Sequence, residues 1–207
     1  MLLSCNRKDN KQVLPVSTVP PNFILILTDD QGYGDLSCFG ATDIATPHID
    51  QLAKEGAKYT QFYVPQSQCT PSRAGILTGC YPNRVGVDWV FLPHSKTGLH
   101  PEEETIADIL KAVGYTSSYY GKWHLGHHPK FLPTNQGFDE YFGIPYSNDM
   151  WPLNPRKDYT FPPLPLIENT TTIDTVDTSL QKQMTRLLTE KTIQFITANK
   201  NLSLIHI

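Results

Sequence analysis

The chain has 207 residues, with 17 lysines and arginines against 20 aspartates and glutamates, a net charge of −3 and 39% hydrophobic residues. This composition is typical of a globular protein, and at about 150 residues per domain the length suits one domain. Four cysteines are too few for a disulfide-stapled miniprotein. The slightly acidic balance excludes a basic surface for nucleic acid. The longest apolar run, residues 23–27, is far shorter than the about 18 residues that indicate a membrane span.

The first residues predict a lipid-anchored start. Leu2-Leu3-Ser4-Cys5 is similar to a bacterial lipobox, in which a peptidase cuts before a cysteine that then carries lipid. A short terminus with a chance cysteine is the alternative. We expect residues 1–20 to be a truncated lipoprotein-type signal and a polar tether. Cys5 would then be the only attachment to a membrane, in a periplasmic or extracellular protein.

Strand and helix patterns alternate after the tether. The apolar run over residues 22–28 predicts a strand buried on both faces of a parallel sheet, and a polar, glycine-rich turn follows it. Further strands are predicted over residues 58–64 and 115–121. Helices are predicted from Pro47 with Thr46 as N-cap and Gly56 as stop, and over residues 71–77, 105–113 and 178–199. Residues 131–165 are predicted to be mostly loop. This order favours an α/β sandwich with a mixed or parallel sheet flanked by helices.

The helix from residue 71 to 77 predicts a nucleophile. Cys69 lies just ahead of its N-terminus, where free N–H groups and the helix dipole favour an anion. Arg73 lies four residues on, so its guanidinium can return over Cys69 and bind an oxyanion. A reactive cysteine in an anion-binding site fits this pattern, and a buried structural cysteine beside an arginine is the alternative that the residues leave open.

The segment Cys69-Thr70-Pro71-Ser72-Arg73, followed by Leu77-Thr78-Gly79, resembles the signature of the type I sulfatases. In that family the cysteine is oxidised to formylglycine by a formylglycine-generating enzyme or an anaerobic sulfatase maturase. The resemblance implies an alkaline phosphatase-like fold and hydrolysis of sulfuric esters. One hydroxyl of the hydrated aldehyde attacks sulfur, and the other then expels sulfate, which a plain thiol cannot do. Cys69 and Arg73 are implied to be catalytic.

Asp29-Asp30 resembles the pair of carboxylates that holds the sulfatase cation. Calcium is implied, with magnesium as the alternative, and residue 69 would be a further ligand. At a strand end that enters a glycine-rich turn, the backbone can direct both carboxylates to one point. A solvated acidic turn is the alternative reading of the pair.

Gly121-Lys122-Trp123-His124-Leu125-Gly126 is similar to another sulfatase element. On an extended backbone residues two apart share a face, so we expect Lys122 and His124 to point into one cleft. The resemblance implies that Lys122 binds a sulfate or leaving-group oxygen. It also implies that His124 stabilises the diol and helps to remove its proton.

A weaker resemblance covers residues 143–149, which look like a loop that lines the substrate cleft. Ser147 would donate to the sulfate there, and a turn-forming segment is the alternative. The family often has histidine where this chain has Asn148, so the role of that position stays open. Cys38 and Cys80 could pair or remain free thiols.

The resemblance extends over residues 21–201, as the N-terminal part of a catalytic domain. The family's later cation ligands and its distal histidine and lysine cannot be placed here, so we expect a fragment with little or no turnover. Residues 202–207 look like a translated sequencing adapter, which we set aside from the fold. A genuine short strand is the alternative for them.

The implied substrate is a sulfated carbohydrate or an aryl sulfate. A phosphonate or phosphate ester hydrolase of the same superfamily is one alternative function. A non-catalytic carbohydrate-binding relative is another, and a truncated product without function is a third.

Overall fold

The computed structural model describes residues 20–156 and 158–206. The lipobox-like start with Cys5, and nearly all of the predicted tether, fall on residues 1–19 and lie outside the described residues. Within the described ranges, no helix is both long and apolar enough to cross a membrane.

A six-stranded mixed sheet organises the chain and confirms the predicted α/β class. Its strands are β1 (Phe23–Ile24), β2 (Thr116–Lys122), β3 (Glu140–Ile144), β4 (Pro165–Glu168), β5 (Thr171–Thr175) and β6 (Leu204–His206). They lie in the order β1-β6-β2-β3-β4-β5. The strands β1, β6, β2 and β3 run parallel to one another. At the other edge β4 is antiparallel to β3, and β5 is antiparallel to β4.

Four α-helices accompany the sheet: α1 (Pro47–Glu55), α2 (Cys69–Thr78), α3 (Ile106–Lys111) and α4 (Thr178–Ala198). The predicted bounds of α1 and α4 are confirmed, because proline at the first turn and Asp177 as N-cap are local signals. Helix α2 begins two residues earlier than predicted, with Gln68 as its N-cap. Helix α3 is shorter than predicted, and a Thr105–Asp108 capping box fixes its start.

Two apolar cores occupy the two faces of the sheet. Tyr119 and Tyr141 point into the core that α2 and α3 cover, whereas the next residues in each strand, Tyr120 and Phe142, face α4. This alternation is the period of two that extended strands impose.

The i, i+3, i+4, i+7 spacing of Ile106, Ile109, Leu110 and Val113 predicts one apolar face for the third helix. This prediction is wrong in part: Ile109 is 56% exposed, because the short helix α3 turns Ala107 and Leu110 to the core.

The prediction of a fully buried strand over residues 22–28 is also wrong. Only Phe23–Ile24 pair as strand, and the five residues of the apolar run are between 38% and 75% exposed. The reason is position: β1 is the edge of the described sheet and pairs with β6 on one side. A pattern typical of a central strand therefore lies at an edge.

Two further predictions of secondary structure fail for a related reason. Residues 58–64 are not a strand, and Tyr59, Phe62 and Tyr63 are largely exposed, since a strand needs a neighbour to take its backbone hydrogen bonds. Conversely, β3 lies within the predicted loop 131–165. It contains Gly143, a residue that ordinarily weakens a strand.

The segment set aside as adapter-derived is part of the sheet. β6 lies between β1 and β2, Leu204 and Ile205 are buried, and the Leu204 N–H donates to Asn22 Oδ1 over 2.8 Å. The alternative of a short strand is thus the conformation found. The adapter origin of these residues is a separate matter and stays a prediction. Cys38 and Cys80 are free thiols.

Gly143 is required by the close approach of β3 to β2. The two strands pair Gly121 with Gly143, and a Cβ at Gly143 would overlap the carbonyl oxygen of Gly121. Because backbone cannot move aside cheaply, we expect Gly143→Ala to lower the free energy of unfolding by about 3 kcal/mol. Urea denaturation measures this. Gly34→Ala is the control, since a Cβ there meets nothing within 4 Å. Equal, small losses in both variants would contradict the packing described here.

Candidate active site

The candidate site lies where two parallel strands end. Asp29 follows β1, Lys122 is the last residue of β2, and the first turn of α2 carries Cys69 and Arg73. The carboxyl edge of an open α/β sheet is where ligands bind in such folds. Three segments far apart in sequence therefore converge at one edge.

Arg73 joins these segments. Its Nη1 donates to the Tyr119 hydroxyl (3.1 Å) and to the Lys122 carbonyl oxygen (2.5 Å), and its Nη2 lies 3.5 Å from Asp29 Oδ1. The side chain is only 7% exposed. Since a buried charge is costly unless it is paired and hydrogen-bonded, these partners hold the guanidinium in place.

Lys122 and Asp29 form the second half of the network. Lys122 Nζ lies 2.7 Å from Asp29 Oδ2 and 3.4 Å from Ser147 Oγ. Burial alone would raise the pKa of Asp29 and is the largest single effect, but Lys122 and Arg73 together outweigh it and lower the pKa. This network thus joins four residues that were singled out from the sequence, with two cations facing one carboxylate. The four residues are Asp29, Arg73, Lys122 and Ser147.

His124 departs from the geometry expected of it. β2 ends at Lys122, and His124 has φ = 59°, so the extended-strand argument that placed both side chains on one face is wrong. The residue is fully buried, and its Nε2 lies 2.9 Å from the carbonyl oxygen of Phe91. A carbonyl can only accept, so Nε2 carries the hydrogen in the neutral ring and Nδ1 is an acceptor. Nδ1 has no hydrogen-bond partner among the described residues.

The described residues supply only part of a calcium shell. No group of three or more histidine, cysteine, aspartate or glutamate side chains gathers in them to hold a metal ion. Asp30 has left-handed backbone (φ = 54°) and is exposed, while Asp29 already faces two cations. Calcium prefers six to eight oxygens. The two carboxylates and the Cys69 thiol do not fit that need by themselves, so the metal-ligand assignment of these three residues stays a prediction.

A groove of about 610 Å³ adjoins the network. Asp29, Arg73, Lys122 and Asn148 belong to its polar lining, and its apolar lining includes residues 24–27 and, from α4, Met184 and Leu188. Asn148, whose role the sequence left open, therefore faces the same space as the two cations.

Tyr119 and Phe91 are site residues that sequence reasoning missed. The Tyr119 hydroxyl accepts from Arg73 and donates to the Lys122 carbonyl over 2.7 Å. Its inward position followed from the period of two in β2, so that signal was available. Phe91 acts through its backbone, which carries no signal in the side-chain pattern.

Comparison with known proteins gives one consistent result. The family model described as Sulfatase matches residues 21–206. Human arylsulfatase A is 53% identical over 136 residues, covering 64% of this chain and 27% of the relative. Arylsulfatase G of Rattus norvegicus is 45% identical over 145 residues, covering 70% and 27%. The chain thus spans about a quarter of the length of these relatives.

Solved structures share the fold. Ps i-CgsB in complex with k-i-k-neocarrahexaose has a TM-score of 0.76 and 30% identity, covering 91% of this chain and 44% of that one. BT4656 in complex with its substrate D-glucosamine-2-N,6-O-disulfate has a TM-score of 0.68 and 26% identity, covering 91% and 33%. These neighbours confirm the alkaline phosphatase-like architecture expected from the sequence.

Two tyrosines of the same core differ in the hydrogen bonding of their hydroxyl groups, and replacing each with phenylalanine tests the network. Tyr119→Phe leaves the buried Arg73 short of an acceptor, so we expect it to lower the free energy of unfolding by about 1–3 kcal/mol. Tyr141 is equally buried, but its hydroxyl has no partner among the described residues. Tyr141→Phe is therefore expected to be neutral or stabilising. Chemical denaturation of both variants checks the difference, and the reverse order would contradict the network.

His124 should make stability depend on pH. Burial, followed by the nearby Lys122 charge, lowers its pKa from 6.5 to about 3. Between those values the unfolded chain binds a proton that the folded chain does not, so stability is lost as pH falls below 6.5. We expect this group to cost about 2 kcal/mol of unfolding free energy between pH 7 and pH 5.

The test compares denaturation of His124→Gln with that of the parent chain at both pH values. The variant should lose this share of the pH dependence, whereas His100→Gln, at an exposed position, should keep it. Identical pH profiles for the parent and His124→Gln would show that the ring is not held neutral.

Proposed function

Because this chain belongs to the sulfatase family, we propose that its site serves the hydrolysis of sulfate esters. The observation that carries the proposal is the cluster of Arg73 and Lys122, both nearly buried, at the carboxyl ends of two strands and beside the first turn of α2. A sulfate ester is an anion with several acceptor oxygens. Two fixed cations and a helix N-terminus are the groups that bind such an anion.

The nucleophile in this proposal is residue 69. A formylglycine-generating enzyme or an anaerobic sulfatase maturase would oxidise the Cys69 thiol to an aldehyde, and water would add to it to give a geminal diol. One hydroxyl then attacks sulfur while the S–O bond to the alcohol breaks, and the alcohol oxygen takes a proton. The second hydroxyl loses its proton, the C=O bond re-forms, and sulfate leaves with the bonding electrons.

The neighbouring residues divide the remaining tasks. Lys122, within 3.4 Å of Ser147, would hold a sulfate or leaving-group oxygen together with that hydroxyl. Arg73 would orient the diol. His124, neutral and with a free acceptor at Nδ1, would take the proton of the second hydroxyl. These roles follow from charge state and hydrogen-bonding capacity.

A cation would need ligands beyond the described residues. Asp29 and Asp30 are the carboxylates that this chain offers to calcium or, as the alternative, magnesium. When bound, such an ion supplies positive charge next to the reacting oxygens.

The proposed substrate class is sulfated carbohydrate, with aryl sulfate as the alternative. Two structural neighbours were solved with a carbohydrate ligand or a sulfated sugar substrate, and the relatives at higher identity are named arylsulfatases. The open groove beside Lys122 leaves room for a leaving group. A periplasmic or extracellular location, with a lipid at Cys5, stays a prediction.

The first prediction of this proposal concerns Cys69 itself. After co-expression with a formylglycine-generating enzyme or an anaerobic maturase, we expect mass spectrometry to find the aldehyde or its hydrate in the Cys69 peptide. Cys38 and Cys80 are internal controls, which should remain thiols in the same digest. A persistent Cys69 thiol, under conditions in which a reference sulfatase is converted, would overturn the formylglycine mechanism.

A product assay then separates reaction classes, on converted protein in which this chain is joined to the remaining sulfatase sequence. Sulfate release from a sulfated oligosaccharide or from 4-nitrophenyl sulfate would support the proposal. Phosphate release from 4-nitrophenyl phosphate at a higher rate would favour the phosphate ester alternative. Binding of oligosaccharide without release of either ion would favour the non-catalytic relative.

A further inference from the structure

The backbone of one residue, Phe91, connects the start of α2 to His124. The Phe91 N–H donates to Thr70 Oγ1 over 3.2 Å, and the Phe91 carbonyl, on the other side of the same Cα, accepts from His124 Nε2 over 2.9 Å. Thr70 and His124 are both fully buried. A single residue in a segment without regular structure therefore bridges the residue next to Cys69 and the imidazole.

The orientation of the Phe91 carbonyl decides which nitrogen of His124 is protonated. In a neutral imidazole the hydrogen resides on the nitrogen that has an acceptor, and the other nitrogen keeps its lone pair. Here the acceptor is the Phe91 carbonyl. If that carbonyl turned away, Nε2 would lose its partner and the hydrogen could move to Nδ1, which could then no longer accept a proton.

The Phe91 side chain packs against the core, and Thr70 adds a hydrogen bond to its backbone N–H. Phe91 lies outside every helix and strand, so it has no ladder hydrogen bonds, and the following turn is closed by Leu92 and Ser95. Thr70 lies fully buried in the first turn of α2, and its β-branched side chain has few rotamers there. It occupies the position of the Cys69–Arg73 motif between the nucleophile and Pro71, and its hydroxyl points to Phe91.

We propose that Thr70 is a positioning residue for His124: it holds the Phe91 N–H, and thereby the backbone of Phe91, so that the Phe91 carbonyl keeps Nε2 protonated and Nδ1 able to accept a proton. The catalytic consequence rests on the proposed function, in which Nδ1 takes the proton of the second hydroxyl as C=O re-forms and sulfate leaves. The tautomer itself is a property of the folded chain and is measured without any activity.

The test compares Thr70→Val, which keeps the shape but removes the acceptor, with Thr70→Ser, which keeps the acceptor. Thr78→Val is the matched control, because it removes a hydroxyl of the same helix that bonds to Ala74 instead. Long-range ¹H–¹⁵N correlation spectra report the ring of His124, assigned through its backbone neighbours. Amide exchange at Phe91 reports the hydrogen bond to residue 70.

In the parent chain, Thr70→Ser and Thr78→Val, we expect Nε2 at the shift of a protonated nitrogen and Nδ1 at that of an unprotonated one. In Thr70→Val we expect both shifts to move towards a mixture of tautomers and the Phe91 amide to exchange at least about tenfold faster. An unchanged tautomer and unchanged exchange in Thr70→Val would overturn the proposal. If Thr70→Val does not fold, Thr70→Ala takes its place: shifted ring signals and faster Phe91 exchange support the proposal, and an unchanged tautomer with unchanged exchange overturns it.

Activity then separates this inference from the function on which its catalytic part rests. Because this chain spans about a quarter of its relatives' length, activity is measured on converted protein in which the chain is joined to the remaining sulfatase sequence. There Thr70→Val should lower kcat for sulfate release at least about tenfold with KM little changed, whereas Thr70→Ser should keep it. A parent protein of that length that is converted but releases no sulfate would sink the proposed function and leave the tautomer result standing. A shifted tautomer with unchanged kcat would remove the catalytic role of Thr70.

Discussion

A guanidinium withdrawn from water is the constraint on which the site depends. Arg73 needs several acceptors because its charge is nearly buried, and it finds them at the Tyr119 hydroxyl, the Lys122 carbonyl and Asp29. These acceptors belong to different segments. Satisfying one charge therefore fixes helix α2 against the end of β2 and draws the segment after β1 towards both.

The charges at this edge of the sheet favour binding of an anion. Arg73 and Lys122 share the single carboxylate of Asp29, so one positive charge of the network is left for an anion. The Asp29 oxygens that pair with Arg73 and Lys122 are the same oxygens that the predicted metal role would use.

The Asp29 side of the site is loosely packed. The strand before it pairs over two residues, and the apolar run 23–27 is largely exposed. By contrast, Lys122 ends a seven-residue strand between two neighbours, and His124 lies in the core. The position of Asp29 consequently depends on its ion pairs with Lys122 and Arg73 more than on the sheet.

The sequence alone determined those features whose causes are local. Proline in the first turn placed α1 and gave the start of α2 to within two residues. The strand β2 and the helix α4 were also predicted within a residue or two from their local sequence. The Cys69–Arg73 motif identified the family because it is a contiguous string. The extent of β1, the failure of residues 58–64 to form a strand and the existence of β3 were decided by tertiary structure, since a strand exists only beside a partner. The tautomer of His124 belongs to the same class: it is set by the carbonyl of Phe91, a backbone group that every residue type carries and that only the folded chain brings to the ring.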